Sequence, residues 1–438
     1  MPPAILLTKT LQRLALALTH AICVALCLSS LALARPAQNS AAASSDLAPA
    51  RSLAASRQFP EAIAVYQQIL VTQPANESAE LELAACYRKV HNEDEARRVL
   101  QQARGEHQRS VAVAKALGNF EIEAQSYDAA IAALKAAIAL APSDLEARNY
   151  LASAYQSNGN STRAHAQLDF VLARDPRNQL ARYLRAQILA DIGRDSQASA
   201  DAESVVAARP EYLPGRVLLA KVLVRLKQCA RAAEVLRPSQ NGLQLDTQAL
   251  FLLANAYECS GQAELAKSVR DEFAAASQAD RTRAENETQS KHLTEQANEL
   301  ARQNQFPQAL ELLQQALDKN AQNGFAYSQQ AKIFFSMHDA PRARQTIEQA
   351  LALQPYQPDF LYVAGVIAEN DSRIDEALAF FEKVTQVNPR EADAYFEIGK
   401  IRLQQGDRRA ARAAFRQAAT LDPSDPEYRR AADSVSQP

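Results

Sequence analysis

Catalysis needs polar groups that converge, so the histidines and cysteines are the first residues to weigh. Past residue 34 the histidines are His91, His107, His165, His292 and His338, scattered in register and never set beside a cysteine at metal-ligand spacing. No glycine-rich phosphate loop, HExxH helix or GxSxG elbow occurs. His91 and His338 read as solvated residues of turns between helices. Acidic pairs such as Asp94-Glu95 and Asp375-Glu376 open helices, where they complement the positive end of the helix dipole. The expectation is a chain with no catalytic residues, no metal and no cofactor.

Three cysteines lie beyond residue 34. Cys86, between Ala85 and Tyr87 in the middle of a helix, reads as a small packing residue. Cys229 opens one helix and Cys259 ends another, antiparallel to it in the stack, so both thiols fall near one edge. In an exported protein these two could pair as a disulfide; otherwise they are unrelated thiols.

The elements that hold these residues are set by a repeat. Residues 392–425 place Tyr395, Ile398 and Gly399 at helical spacing, turn at Gly406-Asp407, resume with Ala411, Phe415 and Ala418, and stop at Pro423. The same pattern stands 34 residues upstream, at Gly365, Ala377, Phe381 and Pro389, and again at Ala331, Ala343, Ala350 and Pro355. A fixed period of this length is the mark of stacked helical hairpins. The small position of each second helix falls on Ala62, Ala96, Ala130, Ala164, Ala198, Ala232 and Ala266, then, after a nine-residue insertion, on Ala309, Ala343, Ala377 and Ala411. Eleven helical pairs follow, with first helices starting near Ala43, Glu77, Val111, Leu145, Gln179, Leu213, Thr247, Ser290, Gly324, Pro358 and Ala392. A single hairpin exposes too much apolar surface to fold alone, and stacking hides it. Arg185 stands where the pattern asks for leucine, so packing is expected to be weaker there.

Lys9 and Arg13 precede an apolar run over residues 14–34 that ends in Ala32-Leu33-Ala34 before Arg35-Pro36. That arrangement predicts a secretory signal over residues 1–34, with an uncleaved membrane anchor as the alternative. Residues 35–42 read as a tether, 43–280 as a block of seven repeats, 281–289 as the polar insertion, 290–425 as a block of four, and 426–438 as a polar C-terminal cap. The insertion reads RTRAENETQ, which suits either a solvated continuation of the preceding helix or a linker. The formal net charge of −2 and the 22% charged residues leave no electrostatic case for DNA, RNA or an anionic membrane as partner. Any membrane contact would come through an uncleaved N-terminal anchor.

This pattern resembles the tetratricopeptide repeat family, over nearly all of the chain after the tether. Leu151, Ala152, Tyr155, Ala164 and Pro176 fit its motif, as do Leu253, Ala254, Tyr257, Gly261 and Ala266. The resemblance implies an all-α, right-handed superhelical solenoid of about eleven antiparallel helix pairs. It also implies a concave surface lined by the second, fifth, ninth and twelfth positions of each first helix. The fifth position carries Tyr183, Phe251, Tyr362 and Phe396, and the ninth carries Lys221, Asn255, Lys332 and Lys400. Aromatics beside amides and ammonium groups suit a protein or peptide ligand, though the same rings could instead pack on neighbouring helices. A carboxylate clamp found in some relatives is incomplete here: Lys115 and Asn119 match its first two members, but Tyr150, Leu180 and Leu184 replace the rest. The expected function is a non-enzymatic scaffold or adaptor, exported to a periplasmic or extracellular space, that binds a protein or peptide of unstated identity. The second reading is an accessory of polysaccharide synthesis or export, its groove contacting a glycan or its synthase.

Overall fold

The computed structural model describes residues 41–237 and 245–435. The expected signal and most of the tether lie outside these described residues. Within them the chain is helical, without a strand. In order the helices are α1 (Ala41–Ala55), α2 (Phe59–Thr72), α3 (Glu77–Lys89), α4 (Glu93–Glu106), α5 (Val111–Glu123), α6 (Tyr127–Leu140), α7 (Leu145–Ser157) and α8 (Ser161–Arg174). There follow α9 (Gln179–Asp191), α10 (Asp195–Ala208), α11 (Leu213–Arg225), α12 (Cys229–Leu236), α13 (Thr247–Cys259) and α14 (Ala263–Arg302). The last eight are α15 (Phe306–Lys319), α16 (Gly324–Ser336), α17 (Ala340–Leu353), α18 (Pro358–Asn370), α19 (Ile374–Val387), α20 (Ala392–Gln404), α21 (Arg408–Leu421) and α22 (Pro426–Ser434). The first helices begin at the positions the period sets, from Glu77 to Ala392. The exception is the eighth hairpin, where Ser290 lies inside α14. That single helix of 40 residues runs through the polar insertion, most of whose side chains are exposed.

Contacts divide the chain into two compact units, one of Arg104–Asp280 and one of Ala41–Ala103 with Arg281–Pro438. The first has a continuous apolar core from Ile122 to Ala266. The core of the second is built of smaller clusters around Leu313, Ile347, Phe381 and Phe415.

The hairpin turn repeats its backbone as faithfully as the helices repeat theirs. Gly159, Gly193, Gly261 and Gly406 have φ between 76° and 82°, and at the same register Arg57, His91, Gln125, Lys227, Asn304, His338 and Ser372 have φ of 58–61°. The geometry needs a left-handed residue to reverse the chain, and a side chain there is strained by roughly 1–2 kcal/mol. His91 and His338 are thus backbone hinges of the turn.

Small residues on the first helix let the second approach. A Cβ on Gly365 would lie 2.7 Å from the Phe381 ring, and one on Gly399 would lie 2.5 Å from the Phe415 ring. Ala152 and Ala164, both buried, hold the corresponding contact in the fourth hairpin. Arg185, out of place by pattern, is satisfied by charge: it bonds Asp201 at 2.7 Å and Asp169 at 3.0 Å. Asp201 is buried and also takes Arg182 at 2.9 Å. Cys229 and Cys259 form a disulfide joining α12 to α13, with Cα atoms 5.7 Å apart. Cys86 is buried and free, and burial first, then Glu82, pushes its thiol up to about 12.

The second unit contains a contact that the repeat pattern does not encode. Its N-terminal hairpins touch its ninth and tenth, nearly 300 residues away in sequence. Phe59 meets Tyr356 edge-on at 5.9 Å, and the Tyr356 hydroxyl donates to the Arg57 carbonyl. Asn92 caps α4 by accepting from the Glu95 amide, and its Nδ2 donates to the Val387 carbonyl at 2.6 Å. Glu61 pairs with Lys383 at 3.3 Å. Glu95, expected only to complement the dipole of α4, is 3% exposed and binds both Arg98, at 2.6 Å, and Arg390, at 3.0 Å.

Candidate binding site

The first helices of the ninth, tenth and eleventh hairpins come together around a cavity of about 380 Å³. Helix α18 supplies Asp359, Tyr362, Val363, Val366 and Ile367, which are spaced i, i+3, i+4, i+7 and i+8 and so share one face. Helix α16 supplies Lys332, Phe335 and Ser336 in the same way. Glu391 and Asp393 enter from the start of α20. Val363 and Ile367 are buried, Tyr362, Phe335 and Val366 are half-buried, and Lys332, Asp359 and Asp393 are exposed. The floor is therefore aromatic and aliphatic, and the rim is charged.

The rim is predominantly acidic. Among the described residues none of Asp359, Glu391 and Asp393 has an ion-pair partner, and neither has Lys332. Glu391 accepts from Asn388 Nδ2 at 3.0 Å, and Asp393 accepts from the Tyr428 hydroxyl. Burial, then the neighbouring Asp393 and Asp359, raise the Glu391 carboxyl above the usual range. Burial also raises the Tyr362 phenol, helped by Glu397, Asp393, Glu391 and Glu369. Lys400, further along α20, is held by Glu397 and by Glu369 at 4.0 Å.

Of the eight candidate contact residues, Lys332 and Tyr362 line this cavity. Phe396 and Lys400 belong to the same unit, on α20. Phe396 packs against Phe415 at 5.6 Å and Tyr428 at 5.0 Å, with the Lys400 ammonium 5.9 Å from its centroid. The other four lie in the Arg104–Asp280 unit. Tyr183 is only 4% exposed and meets Tyr212 edge-on at 5.5 Å, which makes it a packing residue. Phe251 is 50% exposed and leans on Phe273 at 5.7 Å. Lys221 is exposed and near enough to Asp191 to oppose the upward push of burial on that carboxyl. Asn255 is half-buried. The two clamp-like residues serve the fold: Lys115 pairs with Glu146 at 2.6 Å and Asp144 at 3.1 Å, and Asn119 donates to Glu123 at 3.2 Å.

Sequence reasoning missed Phe335 and the acidic rim. The signal was present, because Asp359 and Asp393 hold the second position of their helices and Phe335 the twelfth, both positions of the concave pattern. Glu391 lies one residue before its helix, outside that pattern.

Comparison with known proteins gives the arrangement a family. Family models described as tetratricopeptide repeat match residues 53–119, 121–188 and 370–433, and a second such model matches 328–387. Together they cover more than half of the chain. A BBSome complex member BBS4 homolog from Drosophila melanogaster is 33% identical over 87 residues, which is 20% of this chain and 18% of that protein. The chain thus spans less than a fifth of that relative's length. Among solved structures, MamA overlaps 32% of this chain and 81% of its own at 14% identity and a TM-score of 0.30. The Cut9–Hcn1 hetero-tetramer of APC/C overlaps 88% of each chain at 15% identity and a TM-score of 0.31. Tetratricopeptide repeats typically serve as non-enzymatic scaffolds for contacts between proteins. With its period, its hairpins and its matches in agreement, this chain belongs to the tetratricopeptide repeat family.

Proposed function

We propose that this protein is an exported scaffold that binds a segment of a partner protein on the exposed faces of its first helices and performs no chemistry itself. The observation that carries the reading is the cavity among α16, α18 and α20. There the first-helix faces of three successive hairpins leave an apolar floor and a charged rim open instead of closing into core. Export is supported by the signal-like residues 1–34 and by the Cys229–Cys259 disulfide, a bond at home in an oxidising compartment.

A photo-crosslinking amino acid in place of Lys332 or Phe251 tests the binding claim. Irradiation in cells should yield discrete crosslinked proteins from those positions and none from Glu348, exposed on the second helix of the Lys332 hairpin. Equal yields from all three positions, or none from any, would refute it. The product recovered outside the cytoplasm should begin at Arg35-Pro36; a chain retaining Met1 in a membrane pellet would establish an anchor instead.

A further inference from the structure

We propose that the cavity lined by Lys332, Phe335, Tyr362 and Val366 receives an arginine or lysine side chain from an exposed segment of the partner, its stem on the apolar floor and its cation among Asp359, Glu391 and Asp393. This deepens the scaffold reading and rests on it.

Charge complementarity selects the occupant. Three carboxylates and one ammonium group border the cavity, and the fold pairs none of them with an opposite charge among the described residues. Lys400, on the same helix as Asp393, is committed to Glu369 and Glu397. The carboxylates act on one another, since both Asp393 and Asp359 disfavour the charged form of Glu391. A cation placed among them removes that repulsion, whereas an anionic segment would add to it.

The floor narrows the choice further. A small hydrated cation would leave the half-buried Phe335 and Val366 facing water. Arginine and lysine carry an aliphatic stem that covers apolar surface while the charged end remains at a polar rim. Tyr362, half-buried, also lines the cavity, and an aromatic side chain accepts a guanidinium as well as an aliphatic chain. The volume of about 380 Å³ stands at the small end of ligand sites, enough for a side chain and part of its neighbour but not for a folded element.

The test is a random dodecapeptide display library panned on the full chain at about 0.15 M salt, where long-range steering is screened. Selected peptides are then measured by fluorescence anisotropy on wild type and on Asp359→Asn/Glu391→Gln. These substitutions keep the size of both side chains, and a Gln at 391 can still accept from Asn388; circular dichroism verifies that the double variant is folded. The expected outcome is enrichment of peptides with arginine or lysine beside an apolar residue, whose affinity falls about tenfold on the double variant. Peptides of other composition, or basic peptides that bind both proteins equally, overturn the cavity assignment and leave the scaffold reading standing. No enrichment of any peptide overturns both.

Discussion

Substituting Gly365 by alanine sets two opposed effects against each other. Alanine in a helix interior is favoured over glycine by about 1 kcal/mol, so on propensity alone Gly365→Ala stabilises α18. Its Cβ, however, would lie 2.7, 2.8 and 3.0 Å from three carbons of the Phe381 ring. Carbon atoms pack at about 3.5–4.0 Å, so the ring must retreat by close to an ångström. Phe381 is 0% exposed and stands edge-on to Tyr362 at 5.4 Å, which leaves it nowhere to go. Overpacking of this kind costs about 1–3 kcal/mol, and the net is a destabilisation of roughly 0–2 kcal/mol. The preceding hairpin shows the remedy, since Ala331 and Ile347 occupy the same two positions and share one apolar cluster. Phe381→Ile alone should open a void and destabilise by about 1–3 kcal/mol, while the double variant Gly365→Ala/Phe381→Ile should recover a coupling of about 1 kcal/mol or more. Gly105→Ala is the control of opposite sign: nothing stands within 4 Å of its Cβ, so it should stabilise by about 0.5–1 kcal/mol. Hydrogen exchange over α18 and α19, and over α4 for the control, supplies local opening free energies without assuming that a solenoid unfolds in one step. If Gly365→Ala stabilises as Gly105→Ala does, or the two tenth-hairpin changes add without coupling, close approach is not what fixes glycine there.

Four further expectations follow from the same geometry. Gly406→Ala, at φ 82°, should destabilise by about 1–2 kcal/mol, and a thermal midpoint equal to wild type would contradict the turn argument. Asn92→Ala removes both a helix cap and the bond to Val387, so it should cost more than Asn160→Ala, which loses a cap alone. The difference should be about 1 kcal/mol and appear as faster exchange near Val387; identical costs would remove the long-range contact from solution. Cys259→Ser should destabilise the oxidised protein by about 2–4 kcal/mol, to the level of reduced wild type, and should abolish the response of its melting temperature to reductant. Glu391 has a carboxyl pKa raised by burial and by Asp393 and Asp359, so its stabilising contribution is full below the ordinary carboxylate range and is lost as pH rises through the raised value. Glu391→Gln should therefore raise the melting temperature at pH 7, with the advantage shrinking as the pH is lowered into the carboxylate range.

Helix positions were legible because their causes are local. A proline closing seven of the eleven hairpins, a small residue at the close contact and an apolar stripe act within one period, and their spacing survives into the structure from Glu77 to Ala392. The turn was only partly legible, because glycine marks four of eleven left-handed positions. At the other seven the helices on either side impose the conformation on Arg, His, Gln, Lys, Asn or Ser, and a search for turn glycines passes over them. The contact of Phe59, Asn92 and Glu95 with Tyr356, Val387 and Arg390 was not legible at all. Nothing in a 34-residue period says which distant hairpins meet.

The acidic cavity lies between these cases. Its lining follows the helical period, and Tyr362 and Lys332 were found by position. Its sign was not, because no single repeat position carries it. Charge at a site is a sum over neighbours, and here the neighbours come from α18 and α20, with Glu391 outside the repeat positions altogether. Arg185 teaches the same rule from the core. Taken along its own helix it is a polar residue in a leucine slot, and the expectation was weak packing. Taken with Asp169 and Asp201, each 16 residues away, it is a bonded cation whose carboxylate partner is buried against it. A charged intruder in a repeat is thus best weighed against the residue facing it on the partner helix, since a buried pair with satisfied hydrogen bonds can replace an apolar contact while an unpaired charge cannot. The carboxylates of Asp359, Glu391 and Asp393 have no such ion-pair partner among the described residues, and they border the cavity of the second unit, where a partner's cation could supply it.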